Sequence, residues 1–259
     1  MDEPAREELP PPLDLLWGRR VPSGRGPKQA LSAQRIVAAA VELADAGGLA
    51  AVTMSRVAES LGFSTMSLYR HVRSKGELIA LMVETGRAPT APDAASDAGW
   101  RANLERWTRE LLALVRSHPW VLEVPLARLP LGPSRAGWLD SGLQALGQTA
   151  LSEDEKAAVI LVLNGYVFSE ARFTAELAGS TADLLVDDDA AATHISALSA
   201  LVDADRFPAL RRALDAGIFD ASGNDRDAHF TFGLERILDG IERLVSERAA
   251  RSEDETGRR

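Results

Sequence analysis

Between Leu61 and Val72 the chain reads LGFSTMSLYRHV, and this short segment holds Thr65, Met66, Ser67, Tyr69, Arg70 and His71. Hydroxyls, a thioether, a phenol and two potential cations suit base edges and phosphate oxygens in a DNA groove. The chain offers little for catalysis. Its four histidines, His71, His118, His194 and His229, are far apart and show no metal-ligand spacing. There is no cysteine, which removes thiolate nucleophiles, thiolate metal sites and disulfides. No nucleophile elbow, Walker loop or HExxH occurs. No catalytic residue, metal or cofactor is expected.

Two short helices have to hold that segment. Thr53 can cap one helix, with Val57, Ala58 and Leu61 facing inward. Gly62 follows where a sharp turn needs a left-handed residue. Ser64 can cap the next helix, expected over Thr65 to Val72, with Leu68 and Val72 closing the core behind it. Two helices joined this way form a helix-turn-helix, whose second helix enters the major groove. Ser32 caps a preceding helix running to Ala46, stopped by Gly47-Gly48. Ser74 and Glu77 form a capping box that opens a fourth helix.

Charge singles out the same region. The chain carries a net charge of -9 over 259 residues. From Trp17 to Lys75 there are nine basic and three acidic residues, a net of +6, which leaves -15 for the remainder. A basic module on an acidic body fits a polyanion partner, here double-stranded DNA. Residues 1–30 are rich in Pro, Gly and charge and read as a flexible basic arm, either a solvated tail or one whose Arg19, Arg20, Arg25 and Lys28 lie along phosphates or in a minor groove.

The stretch Arg87 to Gly99 is a Pro/Ala/Asp linker, so a DNA-binding domain over 31–86 is expected to precede a larger domain over 99–248, with a disordered tail over 249–259. The larger domain is helical throughout. Trp100, Leu104, Trp107, Leu111, Leu114 and Val115 form one stripe, broken at His118-Pro119. A short helix and a break at Leu129 to Pro133 follow, then a helix to about Ala150 with Trp138, Leu139, Leu143 and Leu146 inward. Ser152 and Glu155 make a second capping box before a helix whose middle, AAVILVLNGYVF, is apolar on every side and is expected to be buried all round. The last helix, about Arg226 to Arg248, carries Phe230, Leu234, Ile237, Leu238, Ile241, Leu244 and Val245 at near-heptad spacing, as for a helix with a partner helix. No strand pattern competes, so the class is all-α. No apolar run reaches the length of a signal peptide core at the N-terminus or of a membrane span, and a cytoplasmic protein with no membrane partner is expected.

Gly48 to Val83, GLAAVTMSRVAESLGFSTMSLYRHVRSKGELIALMV, closely resembles the DNA-binding domain of the TetR family of transcriptional repressors. HPWVLEVPLARLPLGP, Leu146 to Phe168, and FGLERILDGIERLV resemble the C-terminal domain of the tetracycline-repressor-like branch, so the resemblance spans Ala30 to Val245. It implies a homodimer with one helix-turn-helix per subunit and a four-helix interface. It also implies a small molecule in each C-terminal domain that changes the separation of the DNA-reading helices. Within the matched motif it implies that Met54, Ser55 and Arg56 touch phosphate or a flanking base. Thr65, Met66 and Ser67 face base edges, Tyr69 and His71 hold the backbone, Lys75 adds a contact at the next helix start, and Arg70 stands in the family's variable position.

The tetracycline repressor holds a magnesium–drug complex through histidines of its core domain, and this chain has no histidine between His71 and His118. A different, mostly apolar or aromatic effector is expected, lined by Trp107, Trp120, Trp138, Asn164, Phe168, Arg172 and Phe173; the alternative for the tryptophans is plain core. A buried amide such as Asn164 needs a partner, either that ligand or an opposing dimer helix. The rival functions are an architectural DNA-binding protein without an effector and, last, an all-α enzyme.

Overall fold

The computed structural model describes residues 16–17, 31–85, 98–125, 129–183, 200–217 and 226–257. Nine α-helices are named here: α1 (Ala33–Gly47), α2 (Met54–Leu61), α3 (Thr65–Tyr69), α4 (Lys75–Thr85), α5 (Gly99–Ser117), α6 (Pro133–Ala145), α7 (Glu153–Asp183), α8 (Pro208–Asp215) and α9 (Arg226–Gly257). Short 3-10 turns follow α1 and α5, at Leu49–Ala51 and Pro119–Glu123. The described residues contain no strand.

Local chemistry sets the first four helices. The Ser32 side chain accepts from the Arg35 N–H, Thr53 from Arg56, Ser64 from Ser67 and Ser74 from Glu77, so each helix start has one otherwise orphan donor satisfied. Gly62 ends α2 with φ 73° and ψ 29°, the left-handed conformation the turn requires. Ile36, Val37 and Ala40 of α1, Val57 and Ala58 of α2, Leu68 of α3 and Leu78 and Met82 of α4 are buried together with Val52 and Val72. α3 is shorter than expected. It ends at Tyr69, and Val72 reaches the core from just after the turn at Arg70 and His71, its N–H donating to the Leu68 carbonyl at 2.9 Å. The Ser74 box is also shifted: the Glu77 carboxylate accepts from the Arg73 N–H at 2.6 Å.

The chain divides into two compact units, residues 1–164 and 165–259. In the first, packing crosses the expected linker: α1 lies on the 119–123 turn, and α4 lies on α6. Leu104, Trp107, Leu111, Leu114 and Val115 are buried on one face of α5, while Trp100 is half-buried. Leu139 departs from the expected inward position and is exposed, whereas Trp138 beside it is buried. Gly142 marks the close approach of α6 to α7 and α5, since a Cβ there would stand 2.7 Å from Ile160 Cδ1 and 3.1 Å from Trp107 Cε2. The Ser152–Glu155 box forms in both directions, at 3.0 and 3.3 Å.

Two expectations for the long helices are corrected. α7 is not buried all round: Val159, Ile160, Leu163 and Val167 are, but Leu161 and Val162 are 73% and 55% exposed in the single chain. Hydropathy reports that a face avoids water, not which chain covers it. α9 continues past Arg248 to Gly257, so residues 249–257 are helical rather than a disordered tail. The added segment AARSEDETG has Ala, Arg and Glu among its residues, good helix formers. In the second unit, Phe230, Leu234, Leu238 and Ile241 form the buried stripe of α9.

Candidate nucleic-acid interface

α3 has one anchored side and one open side. Leu68 is fully buried, while Met66 is 76% and Tyr69 44% exposed. Arg70 is exposed, and Thr65, Ser67 and His71 are half-buried, with Arg70 and His71 in the turn after α3 rather than on it. The Ser67 hydroxyl lies 2.9 Å from the capping Ser64 hydroxyl. A hydroxyl bonded to its cap is held in place and keeps capacity for a further bond. At the start of α2, Ser55 and Arg56 are exposed, and the Ser55 hydroxyl lies 3.1 Å from Thr53 Oγ1. Lys75, first in α4, is exposed as well.

Met54 does not join this face. Its side chain is only 8% exposed, because an apolar thioether at the first position of α2 turns into the core that Val57 and Ala58 line. Arg19, Arg20, Arg25 and Lys28 lie outside the described residues, as do most of the linker and the acidic loop after α7. Trp17, just ahead of the arm's cations, donates its indole N–H to the Leu131 carbonyl at 3.1 Å.

Of the residues expected around an effector, Trp107, Trp120, Trp138 and Asn164 lie in the first unit and Phe168, Arg172 and Phe173 in the second. Trp107 and Trp138 meet, with ring centroids 6.2 Å apart, and the Trp107 indole N–H donates to the Trp138 carbonyl at 2.9 Å. Trp120 is buried, but its indole N–H donates 2.7 Å to Asp45 at the end of α1. The Asn164 amide finds its partner within its own helix, donating to the Ile160 carbonyl at 2.9 Å. In the second unit Phe168 is half-buried, while Arg172 and Phe173 are exposed.

Residues 36–82 match the model for bacterial regulatory proteins of the tetR family, and residues 91–245 match that for the tetracyclin repressor-like C-terminal domain. The chain belongs to the TetR family. It is 42% identical over 246 residues to the HTH-type transcriptional repressor DrrR1 of Streptomyces coeruleorubidus, covering 93% of this chain and 88% of that protein. Apo ActR from Streptomyces coelicolor is similar with a TM-score of 0.69 at 27% identity, over 84% of this chain and 97% of ActR. ActR in complex with actinorhodin gives a TM-score of 0.68 at 25% identity, over 83% of this chain and 99% of that one.

This TetR-family chain is therefore a helix-turn-helix transcriptional regulator, of a family whose members bind operator DNA as dimers and respond to small molecules. Sequence reasoning missed the carboxylates whose bonds cross the expected linker within the first unit. Asp45, Glu84 and Glu123 bond to groups 50 to 75 positions away. No local pattern reports a contact at that separation.

Proposed function

We propose that this regulator is a repressor that leaves its operator when a small, mostly apolar or aromatic molecule enters the C-terminal domain. The open face of α3, backed by the buried Leu68, carries the DNA half of the reading. Thr65, Met66 and Ser67 read base edges; Tyr69, His71, Ser55, Arg56 and Lys75 hold the phosphates, with Arg70 beside them. The arm cations Arg19, Arg20, Arg25 and Lys28 add contacts without sequence preference. The actinorhodin complex of ActR supports the effector half. Trp107 and Trp138 are the strongest candidates for an apolar wall, with Asn164, Phe168, Arg172 and Phe173 as further candidates. Domains over 31–86 and 99–248 divide the two tasks. No catalytic step is assigned, and operator DNA puts the site of action in the cytoplasm. Among the described residues no helix is long and apolar enough to cross a membrane.

The test is a fluorescence-anisotropy titration of the full chain on a labelled fragment of its own promoter, then with actinorhodin added. Binding followed by release is the expected result. Binding that no member of a broad aromatic panel reverses favours an architectural protein. No binding to any promoter fragment removes the repressor reading.

A further inference from the structure

Three carboxylates join α1, the turn after it and α4 to the C-terminal domain, all within the first unit. At the end of α1, Asp45 Oδ1 accepts from the Trp120 indole N–H at 2.7 Å and lies 2.8 Å from His118 Nδ1. The His118 and Trp120 rings are tilted against each other at 6.0 Å. Glu123 reaches in the opposite direction, its Oε1 accepting from the Leu49 N–H at 3.2 Å. Leu49 follows Gly48, whose φ of 71° turns the chain there, and a Cβ on Gly48 would stand 3.4 Å from that same oxygen. At the end of α4, Glu84 accepts from the Ser134 N–H in the first turn of α6. Gly132 leaves room for the carboxylate, since any Cβ there would fall upon it.

These bonds sit at the far ends of α1 and α4; α2 and α4 both pack on α1, and α3 packs on α2. A hydrogen bond to a carboxylate is short and directional, whereas an apolar contact tolerates sliding. Three such bonds at separate points fix an orientation that packing alone leaves loose. Trp120 has a second property: its ring is buried while its N–H holds Asp45. A shift of the 119–123 turn is thus felt at α1 without an intermediate side chain.

We propose that Asp45, Glu84 and Glu123 are positioning residues that fix the pose of the α2–α3 pair on the C-terminal domain. Trp120 is the side chain through which a change in that domain reaches the pair. This deepens the DNA-binding reading above, but its first test needs neither DNA nor effector. The native chain has no cysteine, so spin labels can be placed cleanly on Glu59→Cys in α2 and Glu110→Cys in α5, both exposed positions. The distance distribution between them is expected to be narrow in the parent. It should broaden in Asp45→Ala, in Glu123→Ala and in Trp120→Phe, which keeps a buried aromatic ring but loses the pyrrole part of the indole with its N–H. Asp45→Asn, which keeps an acceptor, should restore a narrow distribution. The Asp45→Ala/Trp120→Phe double variant should broaden no further than Asp45→Ala alone, since that variant already removes the Trp120 bond along with the His118 contact.

The second readout is operator affinity when one base pair is added or removed between the half-sites. A dimer reads that spacing as geometry. The parent should lose roughly tenfold, a usual size for coupling between two sites. The Ala variants should lose less than about threefold, having become tolerant. An unchanged distance distribution in all three variants overturns the assignment. So does a uniform loss across all spacings with a lower melting temperature, the mark of a merely structural role. Broadened distributions in a protein that binds no promoter fragment uphold the positioning role and count against the repressor reading instead.

Discussion

The Tyr166 hydroxyl of α7 donates to the Phe230 carbonyl of α9 at 2.9 Å, and the two rings stack with centroids 5.3 Å apart and planes 12° from parallel. Gly233, one turn further along α9, leaves the space: a Cβ there would stand 2.8 Å from Tyr166 Cζ. One phenol thus joins two helices of the second unit by a hydrogen bond and a ring contact, and the bond exists only while the hydroxyl keeps its proton.

That proton makes alkaline stability a test. Burial raises the Tyr166 pKa above its ordinary 10.0, and the neighbouring Glu170 raises it further. The folded chain therefore holds this proton to higher pH than the unfolded chain. The contribution is complete below about pH 10 and is lost as pH rises through the folded value. Tyr166→Phe should lower stability by about 0.5–1.5 kcal/mol at neutral pH, and its stability should fall less steeply above pH 10 than the parent's. The chain has only two tyrosines, so denaturant melts against pH can assign the difference. Parallel curves for the two proteins would reject it.

Two glycines five positions apart on α6 should respond in opposite directions to the same change. Gly137 has nothing within 4 Å of an added Cβ, whereas Gly142 faces Ile160 Cδ1 and the Trp107 ring at 2.7 and 3.1 Å. Gly137→Ala should stabilise by about 0.5–1 kcal/mol through backbone entropy. Gly142→Ala should destabilise by about 1–3 kcal/mol, because a close-packed core has to shift to admit a methyl group. Thermal melts decide; two shifts of the same sign would mean that the α6–α7 approach is looser than described.

The caps and turns were legible in the sequence because their chemistry is local. Ser32, Thr53, Ser64, Ser74 and Ser152 each bond a residue three positions on, and Gly62 is needed by its own φ. The end of α3 was not legible. Val72 is fully buried and keeps the apolar spacing going after the helix has stopped at Tyr69. Met54 was assigned by its place in a motif, and its burial follows from a side chain that gains more from the core than from water. Trp120 is expected at an effector pocket; it is buried, and its partner Asp45 is 75 positions away. The apolar run of α7 was visible too, but a sequence does not distinguish a face covered by its own chain from one awaiting a second copy.

That uncovered face makes a dimer prediction. Leu161 and Val162 together form an exposed apolar patch in the first third of α7, the kind of surface that marks an interface. Leu161→Glu should leave the fold intact, since the side chain touches water in the single chain, while shifting light scattering from dimer to monomer. Leu238→Glu is the wrong probe, because Leu238 is only 1% exposed and the charge would break the subunit itself. A Leu161→Glu protein that remains dimeric at micromolar concentration would place the interface elsewhere.

The two faces of α3 can be separated by neighbouring substitutions. Tyr69 is 44% exposed and Leu68 fully buried, though they are adjacent in sequence. Tyr69→Ala should change stability by less than about 0.5 kcal/mol, as a surface change does. It should still weaken operator binding, since the phenol positions α3 on the DNA backbone. Leu68→Ala should destabilise by about 2–5 kcal/mol by opening a cavity behind α3, and lose DNA binding only as the domain unfolds. Substituting Thr65 or Ser67 should change which base pairs are preferred, by roughly 1–3 kcal/mol at each position read. Paired measurements settle it: a binding titration and a thermal melt for each variant. If Tyr69→Ala binds the operator as the parent does, the open side of α3 is not the side that meets DNA.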